Sequence, residues 1–250
     1  MKYILSEKKE GIATLILSLG KVNALNLEML EEMHKVLEIL KDDDEIKAVI
    51  LTGQGKFFSF GFDIPDFLSL PREVFRQFLD KFTFLYAYIY DYPKATVAAL
   101  NGHAVAGGCI LAMACDYRLM VTGKAKIALN EVTFGASLFA GCIAILKNLV
   151  GQRTAEKILF SGAMFSAEEA LNMGLIDRVS SEETIVHDAH KVAQEFAARH
   201  SPAFSSIKKL VHNIDIPEFG PLERKAIDKF IDIWYSEKTM KNLKQIKIHA

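Results

Sequence analysis

The pattern of hydrophobic and polar positions divides the chain into strands and helices. Short runs rich in Ile, Val, Leu and Thr occupy residues 12–18 and 46–52 and are bounded by glycine or charged residues, which is typical of buried strands. Between them, apolar residues recur at intervals of three and four and predict an amphipathic helix with Asn26 as its N-cap. The chain therefore opens with a strand, a helix and a second strand.

A second helical pattern begins at Pro71 and stops before Pro93. Its apolar stripe predicts either a core face or the wall of a substrate channel, and it consists of Phe75, Phe78, Leu79, Phe82, Tyr86 and Ile89. Residues 96–100 and 117–121 predict two more strands, and residues 107–115 between them predict a short apolar helix. A capping box of Ser166 and Glu169 then opens a helix that Gly174 ends, and residues 175–179 follow as a strand.

The C-terminal part of the sequence carries helix signals alone. Ser201 and Pro202 supply an N-cap and a first-turn proline for one helix. A last amphipathic helix presents a large apolar face formed by Phe230, Ile231 and Trp234. This face is too large to leave in water, so it packs either at a subunit contact or back on its own chain. We predict an α/β core over residues 1–200 and an α-helical oligomerisation region over residues 201–250.

Composition and charge exclude several classes of protein. Half of the 250 residues are apolar and 24% are charged, which excludes an intrinsically disordered chain. Lys and Arg number 30 against 31 Asp and Glu, so the molecule offers no basic field to a nucleic acid or to an anionic membrane. Residues 1–10 lack the apolar core of a secretory signal, and we therefore expect a cytoplasmic protein.

The cysteines and the one long uncharged run have structural explanations. Cys109, Cys115 and Cys142 form no Cys-x-x-Cys pair and predict buried free thiols, with neither a disulfide nor a zinc site. Residues 95–115 carry no charge and are long enough to span a bilayer. Because residues 101–103 are polar or glycine and interrupt this run, we expect a strand, a turn and a helix inside a protein core.

The motifs of nucleotide binding, serine hydrolysis and zinc proteolysis are absent. The chain has no G-x-x-x-x-G-K-[ST], G-x-G-x-x-G, G-x-S-x-G or H-E-x-x-H. We therefore expect neither a nucleotide cofactor nor a metal ion. His103, within the apolar run, is expected to be a packed and hydrogen-bonded core residue.

Three segments place small or polar residues directly after an apolar strand, where chains turn toward ligands: residues 59–63, 101–108 and 128–131. Gly107 and Gly108 precede an apolar helix, so their N–H groups are expected among the unpaired donors at its positive end, where an oxyanion binds. Tight backbone packing is the alternative explanation for both glycines.

Glu131 is the candidate acid–base residue. No charged residue occurs from position 132 to position 146, so the carboxylate is expected to be partly desolvated. Desolvation raises the pKa of a carboxyl group toward the range useful for a base. The alternative is a surface residue, ion-paired at the end of a strand.

Taken in order, the motifs of this chain resemble those of the crotonase superfamily of enoyl-CoA hydratases and isomerases. The resemblance runs from about residue 12 to residue 178. It is carried by residues 21–26 (KVNALN), 49–53 (VILTG), 58–63 (FSFGFD), 101–109 (NGHAVAGGC), 115–118 (CDYR) and 170–179 (ALNMGLIDRV). It implies a crotonase-type spiral of ββα units, a homotrimer or homohexamer, and an acyl-CoA thioester as substrate, with coenzyme A as part of that substrate and no separate cofactor.

Motif by motif, the resemblance also implies residue roles. The N–H groups of Phe62 and Gly107 are expected to hold the thioester oxygen, and the coenzyme A portion is expected to lie along Ala24 and the loop of Ser59, Phe60, Gly61, Phe62 and Asp63. A basic side on the last helix either meets the coenzyme A phosphates or is a solvated face, and it consists of Lys238, Lys241, Lys244 and Lys247.

One departure from the family pattern indicates the subclass. The resemblance implies that hydratases of this family use two glutamates, one of them directly after Gly-Gly-Cys. In this chain that position is Ile110. Only Glu131 remains. In this respect the chain resembles the branch of Δ3,Δ2-enoyl-CoA isomerases, which convert 3-enoyl-CoA to 2-enoyl-CoA by shifting the double bond. The alternatives are hydration or another crotonase reaction supported by Asp63 or Asp66, and a non-catalytic acyl-CoA-binding or RNA-binding protein.

Overall fold

The structure is a computed structural model that describes residues 2–212 and 216–246, with side chains for 2–212 and 220–246. The strands of this described part are β1 Ile4–Lys9, β2 Ile12–Leu17, β3 Ala48–Gly53, β4 Phe57–Ser59, β5 Ala95–Leu100, β6 His103–Val105, β7 Tyr117–Val121, β8 Ile127–Ala128 and β9 Arg178–Ser180. Its helices are α1 Leu27–Asp42, α2 Ile64–Phe67, α3 Arg72–Tyr90, α4 Gly107–Met113, α5 Glu131–Phe134, α6 Ala140–Ser161, α7 Ala167–Asn172, α8 Ile185–Ala197, α9 Ser201–His212, α10 Ile216–Trp234 and α11 Glu237–Leu243.

Two sheets organise the core. The larger has the order β1-β2-β3-β5-β7-β9 and is parallel except for the β1–β2 pair. The smaller has the order β4-β6-β8 and is parallel throughout. Three times, a strand of the larger sheet is followed by a strand of the smaller sheet and then by a helix. This repeated unit confirms the α/β fold and the expected spiral of ββα units.

The helix signals of the sequence act as predicted. Asn26 Oδ1 accepts from the N–H of Met29 at 2.9 Å and caps α1. Ser166 and Glu169 make both hydrogen bonds of the capping box at the start of α7. Pro71 directly precedes α3, whose aromatic stripe is buried in the core.

The predicted strand at residues 175–179 is wrong in its position, because the strand is β9 at Arg178–Ser180. Gly174 adopts a left-handed φ of 75° after α7. The N–H groups of Leu175 and Ile176 then bond back to Ala170 O at 2.9 and 3.4 Å. These two N–H groups close the C-terminal end of α7, so they cannot form the hydrogen bonds of a β-sheet.

The apolar face of the last long helix packs on its own chain. Phe230, Ile231 and Trp234 are 2%, 4% and 1% exposed. The ring centroid of Trp234 lies 4.8 Å from that of Phe75 on α3, and that of Phe230 lies 5.0 Å from Phe139. Its expected placement at a subunit contact is therefore wrong, because the aromatic stripe of α3 provides the matching surface. The basic side that follows is exposed at Lys238, Lys241 and Lys244, and Lys247 lies outside the described residues.

The uncharged run forms β5, β6 and α4 inside the fold, as expected. Among residues 2–212 and 216–246, no helix combines the length and the apolar character needed to cross a bilayer. Cys109, Cys115 and Cys142 are buried free thiols, which confirms that prediction.

Candidate active site

A cavity of about 240 Å³ lies where the strands of the smaller sheet end. Because β4, β6 and β8 are parallel, the segments that follow them emerge at one edge of the sheet. These segments line the cavity with Phe60, Phe62, Ala106, Gly107, Asn130 and Glu131. The sheet therefore brings together three segments that are far apart in the sequence.

Glu131 is the first residue of α5 and lines this cavity. It is 5% exposed, and its Oε2 has no hydrogen-bond partner in the described part of the chain. Removal from water disfavours the charged carboxylate and raises the pKa of Glu131 to about 8. Among the described residues that line the cavity, no other side chain is ionisable. This placement excludes the alternative of an ion-paired surface residue.

The backbone of Phe62 presents a free N–H group at the cavity. Phe62 forms an isolated parallel bridge with Leu25, which donates to Gly61 O at 2.7 Å and accepts from the N–H of Asp63 at 3.1 Å. In this pattern the N–H of Phe62 itself faces away from Leu25. It has no acceptor among the described residues. The ring of Phe62 packs edge to face on Phe78, with centroids 4.8 Å apart, and fixes this peptide.

Gly107 supplies a second free donor. It is the first residue of α4, where an N–H group has no acceptor within the helix, and it has none elsewhere in the described part. The preceding Ala106 has φ 49° and ψ −119°, a strained backbone conformation for a residue with a side chain. A Cβ atom on Gly61 would lie 3.0 Å from Gly107 N, which shows how closely the two segments approach. Two unpaired N–H donors thus belong to adjacent segments of the cavity wall.

Ser59 and Asn23 support this wall from behind. The buried Ser59 hydroxyl donates to Asn23 O at 2.7 Å and accepts from the N–H of Gly61 at 3.1 Å. Asn23 Nδ2 in turn donates to Phe57 O at 2.8 Å. A Cβ atom on Gly108 would lie 2.4 Å from Ser59 O, so tight backbone packing explains this glycine. The sequence pattern did not indicate Asn23 as a supporting residue.

The structure separates the candidate site residues into two groups. Glu131, Phe60, Phe62 and Gly107 line the cavity, and Gly61 lies directly beneath them. The cavity lining does not include Ala24, Ser59, Asp63 or Asp66. Burial and the nearby Asp66 raise the pKa of the half-buried Asp63, but neither carboxylate reaches the cavity.

Apart from Thr133, the rest of the described cavity lining is apolar. Ile110 is 1% exposed and lines it from α4. Helix α10 contributes Phe230 and Trp234, and Phe139 before α6 and Ile246 after α11 also line the cavity; these four were not predicted as site residues. His103 lies outside this lining and is half-buried, with its ring centroid 4.9 Å from that of Phe57. Within the described ranges, no group of three or more His, Cys, Asp or Glu side chains is placed to hold a metal ion.

Comparison with models of known protein families shows the family to which this chain belongs. The family model described as Enoyl-CoA hydratase/isomerase matches residues 7–218. The chain belongs to the enoyl-CoA hydratase/isomerase family. The match covers every motif that carried the resemblance, and it confirms a crotonase-type enzyme.

Relatives within this family bear both names. A putative enoyl-CoA hydratase of Thermus thermophilus is 33% identical over 222 residues, which cover 86% of this chain and 85% of the relative. Enoyl-CoA delta isomerase 1, mitochondrial, of Mus musculus is 34% identical over 195 residues, which cover 77% and 68%. The crystal structure of human mitochondrial Δ3-Δ2-enoyl-CoA isomerase matches with a TM-score of 0.92 and 27% identity, over 97% of this chain and 96% of that one.

Proposed function

We propose that this member of the enoyl-CoA hydratase/isomerase family is an isomerase that converts 3-enoyl-CoA to 2-enoyl-CoA. The observation that carries the proposal is that Glu131 is the single ionisable side chain among the described residues of a mostly apolar cavity, whose other polar side chains are Asn130 and Thr133. The family resemblance implies that its hydratases use a carboxylate pair to orient a water molecule and deliver a proton. Ile110, at the second position, neither ionises nor hydrogen-bonds, so the cavity suits a reaction that moves one proton.

In the proposed mechanism, the ionised Glu131 removes a proton from C2 of the 3-enoyl thioester. The electron pair of the broken C2–H bond forms a dienolate, whose negative charge collects on the thioester oxygen. The N–H groups of Phe62 and Gly107 stabilise that oxygen. The protonated Glu131 then delivers the same proton to C4, so that the C3–C4 double bond becomes a C2–C3 double bond and the enzyme returns to its first state.

The coenzyme A portion is proposed to run along Ala24 and residues 59–63. These two segments lie side by side through the hydrogen bonds of Leu25 to Gly61 and Asp63. Since the Ser59 hydroxyl is already engaged by Asn23 and Gly61, the ligand contacts on this loop fall to its backbone and to Phe60.

Labelled water and a substrate panel test the isomerase proposal directly. We expect the enzyme to convert 3-enoyl-CoA to 2-enoyl-CoA and to hydrate 2-enoyl-CoA slowly or not at all. Mass spectrometry should find no oxygen from ¹⁸O-water in the product. Rapid hydration would show that this enzyme is a hydratase, the name that some of its relatives carry. Binding without any turnover would favour a non-catalytic acyl-CoA-binding protein.

The pH dependence of the reaction should report Glu131. A base must be ionised to act, so kcat/KM for isomerisation should rise about tenfold per pH unit below pH 8 and level off above it. Steady-state rates from pH 6 to pH 10 measure this profile. A profile that is flat between pH 6 and pH 8 would assign the proton transfer to a group with an ordinary carboxyl pKa.

We also predict that the chain assembles as a homotrimer or homohexamer. Helix α9 presents an apolar face that the rest of the chain leaves in water, with Ile207, Leu210 and Val211 at 60%, 77% and 71% exposure. Analytical ultracentrifugation at micromolar concentration should give three or six times the chain mass of 27.9 kDa. Sedimentation at the mass of one chain would contradict this prediction.

A further inference from the structure

Helix α11 makes hydrogen bonds to the short helix that carries Glu131. Thr239 Oγ1 donates to Gly135 O at 2.7 Å, and Asn242 Nδ2 donates to Phe134 O at 3.2 Å. Thr239 is 3% exposed, so the first of these bonds is shielded from water. The two acceptors are carbonyl groups at the C-terminal end of α5, which have no partner inside a helix.

Helix α5 is too short to fix its own position. It spans Glu131–Phe134, a single turn, and forming one isolated turn of helix is unfavourable. Its closing hydrogen bonds run from the N–H groups of Gly135 and Ala136 to Glu131 O, at 3.1 and 2.9 Å. Contacts with the rest of the protein must therefore set where this turn lies.

Besides the packing of Val132 and Thr133 beside Gly162, α5 has an anchor at each end. Strand β8 precedes Glu131 and pairs with β6 through Ala128 and Val105. At the other end Gly135 turns the chain with φ 86°, and a Cβ atom there would lie 3.1 Å from Thr239 Oγ1. Release of the second anchor leaves Glu131 attached to the sheet but loosens the C-terminal end of its turn of helix.

We propose that Thr239 and Asn242 are positioning residues that hold Glu131 against the cavity. They touch the main chain of α5 and not the cavity, so they act only through Glu131. The catalytic consequence rests on the proposed function. The position and the pKa of the Glu131 carboxyl group can be measured whether or not the proposed function is correct.

Replacing Thr239 by valine keeps the shape and removes the donor. In Thr239→Val we expect kcat for isomerisation to fall by a factor between about ten and about a hundred, the effect of a small misplacement of a catalytic group, with little change in KM. The ¹³C resonance of the Glu131 carboxyl group should titrate below the wild-type pKa of about 8, because water reaches it. Thr239→Ser should restore both values, and Asn242→Ala should lower both more mildly.

Within the described part of the chain, the titration has no competing group beside it. There, the ionisable side chains that interact electrostatically with Glu131 are the thiols of Cys109 on α4 and Cys142 on α6. Burial raises the pKa of both thiols, so they stay neutral across the range in which Glu131 ionises. The carboxyl resonance, assigned by its loss in Glu131→Gln, therefore reports Glu131 alone.

Thr52→Val is the matched control. The Thr52 hydroxyl donates to Ala99 O at 2.8 Å in the larger sheet, a threonine-to-carbonyl bond close in length to the 2.7 Å bond of Thr239. Its loss should lower stability while kcat and the Glu131 pKa stay at wild-type values. The inference fails if Thr52→Val changes kcat and the Glu131 pKa as Thr239→Val does. It also fails if Thr239→Ser is as impaired as Thr239→Val, or if Thr239→Val and Asn242→Ala both match the wild type. Absence of turnover in the wild type would refute the isomerase reaction, and the carboxyl titration would still decide the positioning role.

Discussion

Replacing Glu131 by glutamine will lower the rate of 3-enoyl-CoA isomerisation by about 10²- to 10⁴-fold, the range typical for loss of a general base. Glutamine keeps the shape and the hydrogen-bonding capacity of the side chain but cannot accept the C2 proton. Since the N–H donors and the apolar wall are untouched, a saturated acyl-CoA should bind with unchanged affinity. Stopped-flow rates and calorimetric titration of the same preparation measure the two effects separately.

The stability of this variant provides its control. The pKa of Glu131 is raised in the folded chain, so the protonated form is favoured there, and folding loses stability as pH rises from about 4.5 through about 8. With 1.36 kcal/mol per pKa unit, ionisation of this buried group costs about 5 kcal/mol above pH 8. Glu131→Gln should therefore match the wild type in denaturant at pH 4 and exceed it at pH 9. Full isomerase activity in a folded Glu131→Gln protein would remove Glu131 from the mechanism.

Gly107→Pro will lower kcat/KM by roughly 10²- to 10³-fold relative to Gly107→Ala, the usual effect of deleting one oxyanion donor. Both substitutions add a Cβ atom, which would lie 3.0 Å from Phe62 Cε1 and require a small shift of that ring. Proline alone removes the N–H group. The first position of a helix accepts proline, because its N–H has no partner there. Initial rates across substrate concentrations compare the two variants.

The comparison of these two variants separates the change at the nitrogen, where the proline Cδ atom replaces the hydrogen, from the added Cβ atom that both variants share. Thermal unfolding should place them within a few degrees of each other, and a crystal structure with a bound acyl-CoA should show the thioester oxygen near the nitrogens of residues 62 and 107. Equal activity of the proline and alanine variants would mean that charge does not develop beside Gly107.

The parts of the fold that the sequence predicted are those with strong local causes. The cap at Asn26, the capping box at Ser166 and the proline before α3 act within one turn, so each is visible in a short stretch of sequence. Strands β4, β6 and β8 contain three, three and two residues. Runs of that length have no measurable period, and only the spatial pairing of the smaller sheet defines them.

The candidate site divides in the same way. The uncharged sequence that follows Glu131 predicted its burial, although the next two residues are exposed and the cavity around the carboxyl group is built from distant segments. The contacts of Thr239 and Trp234 with the site depend on how the C-terminal helices pack, and residues more than 100 positions apart show no common pattern. For the same reason the direction in which Phe230 packs could not be chosen from its amphipathic helix alone.

In the proposed mechanism, free N–H groups of the main chain at residues 62 and 107 stabilise the anion, whereas proton chemistry depends on the side chains at positions 110 and 131. Strand pairing and helix geometry fix the two donors, so substitution at the other two positions leaves them in place. Anion stabilisation and acid–base chemistry are therefore separately variable in this architecture. On the proposed mechanism, one or two codon changes at positions 110 and 131 would change the reaction while the donors for a negatively charged thioester oxygen stay in place.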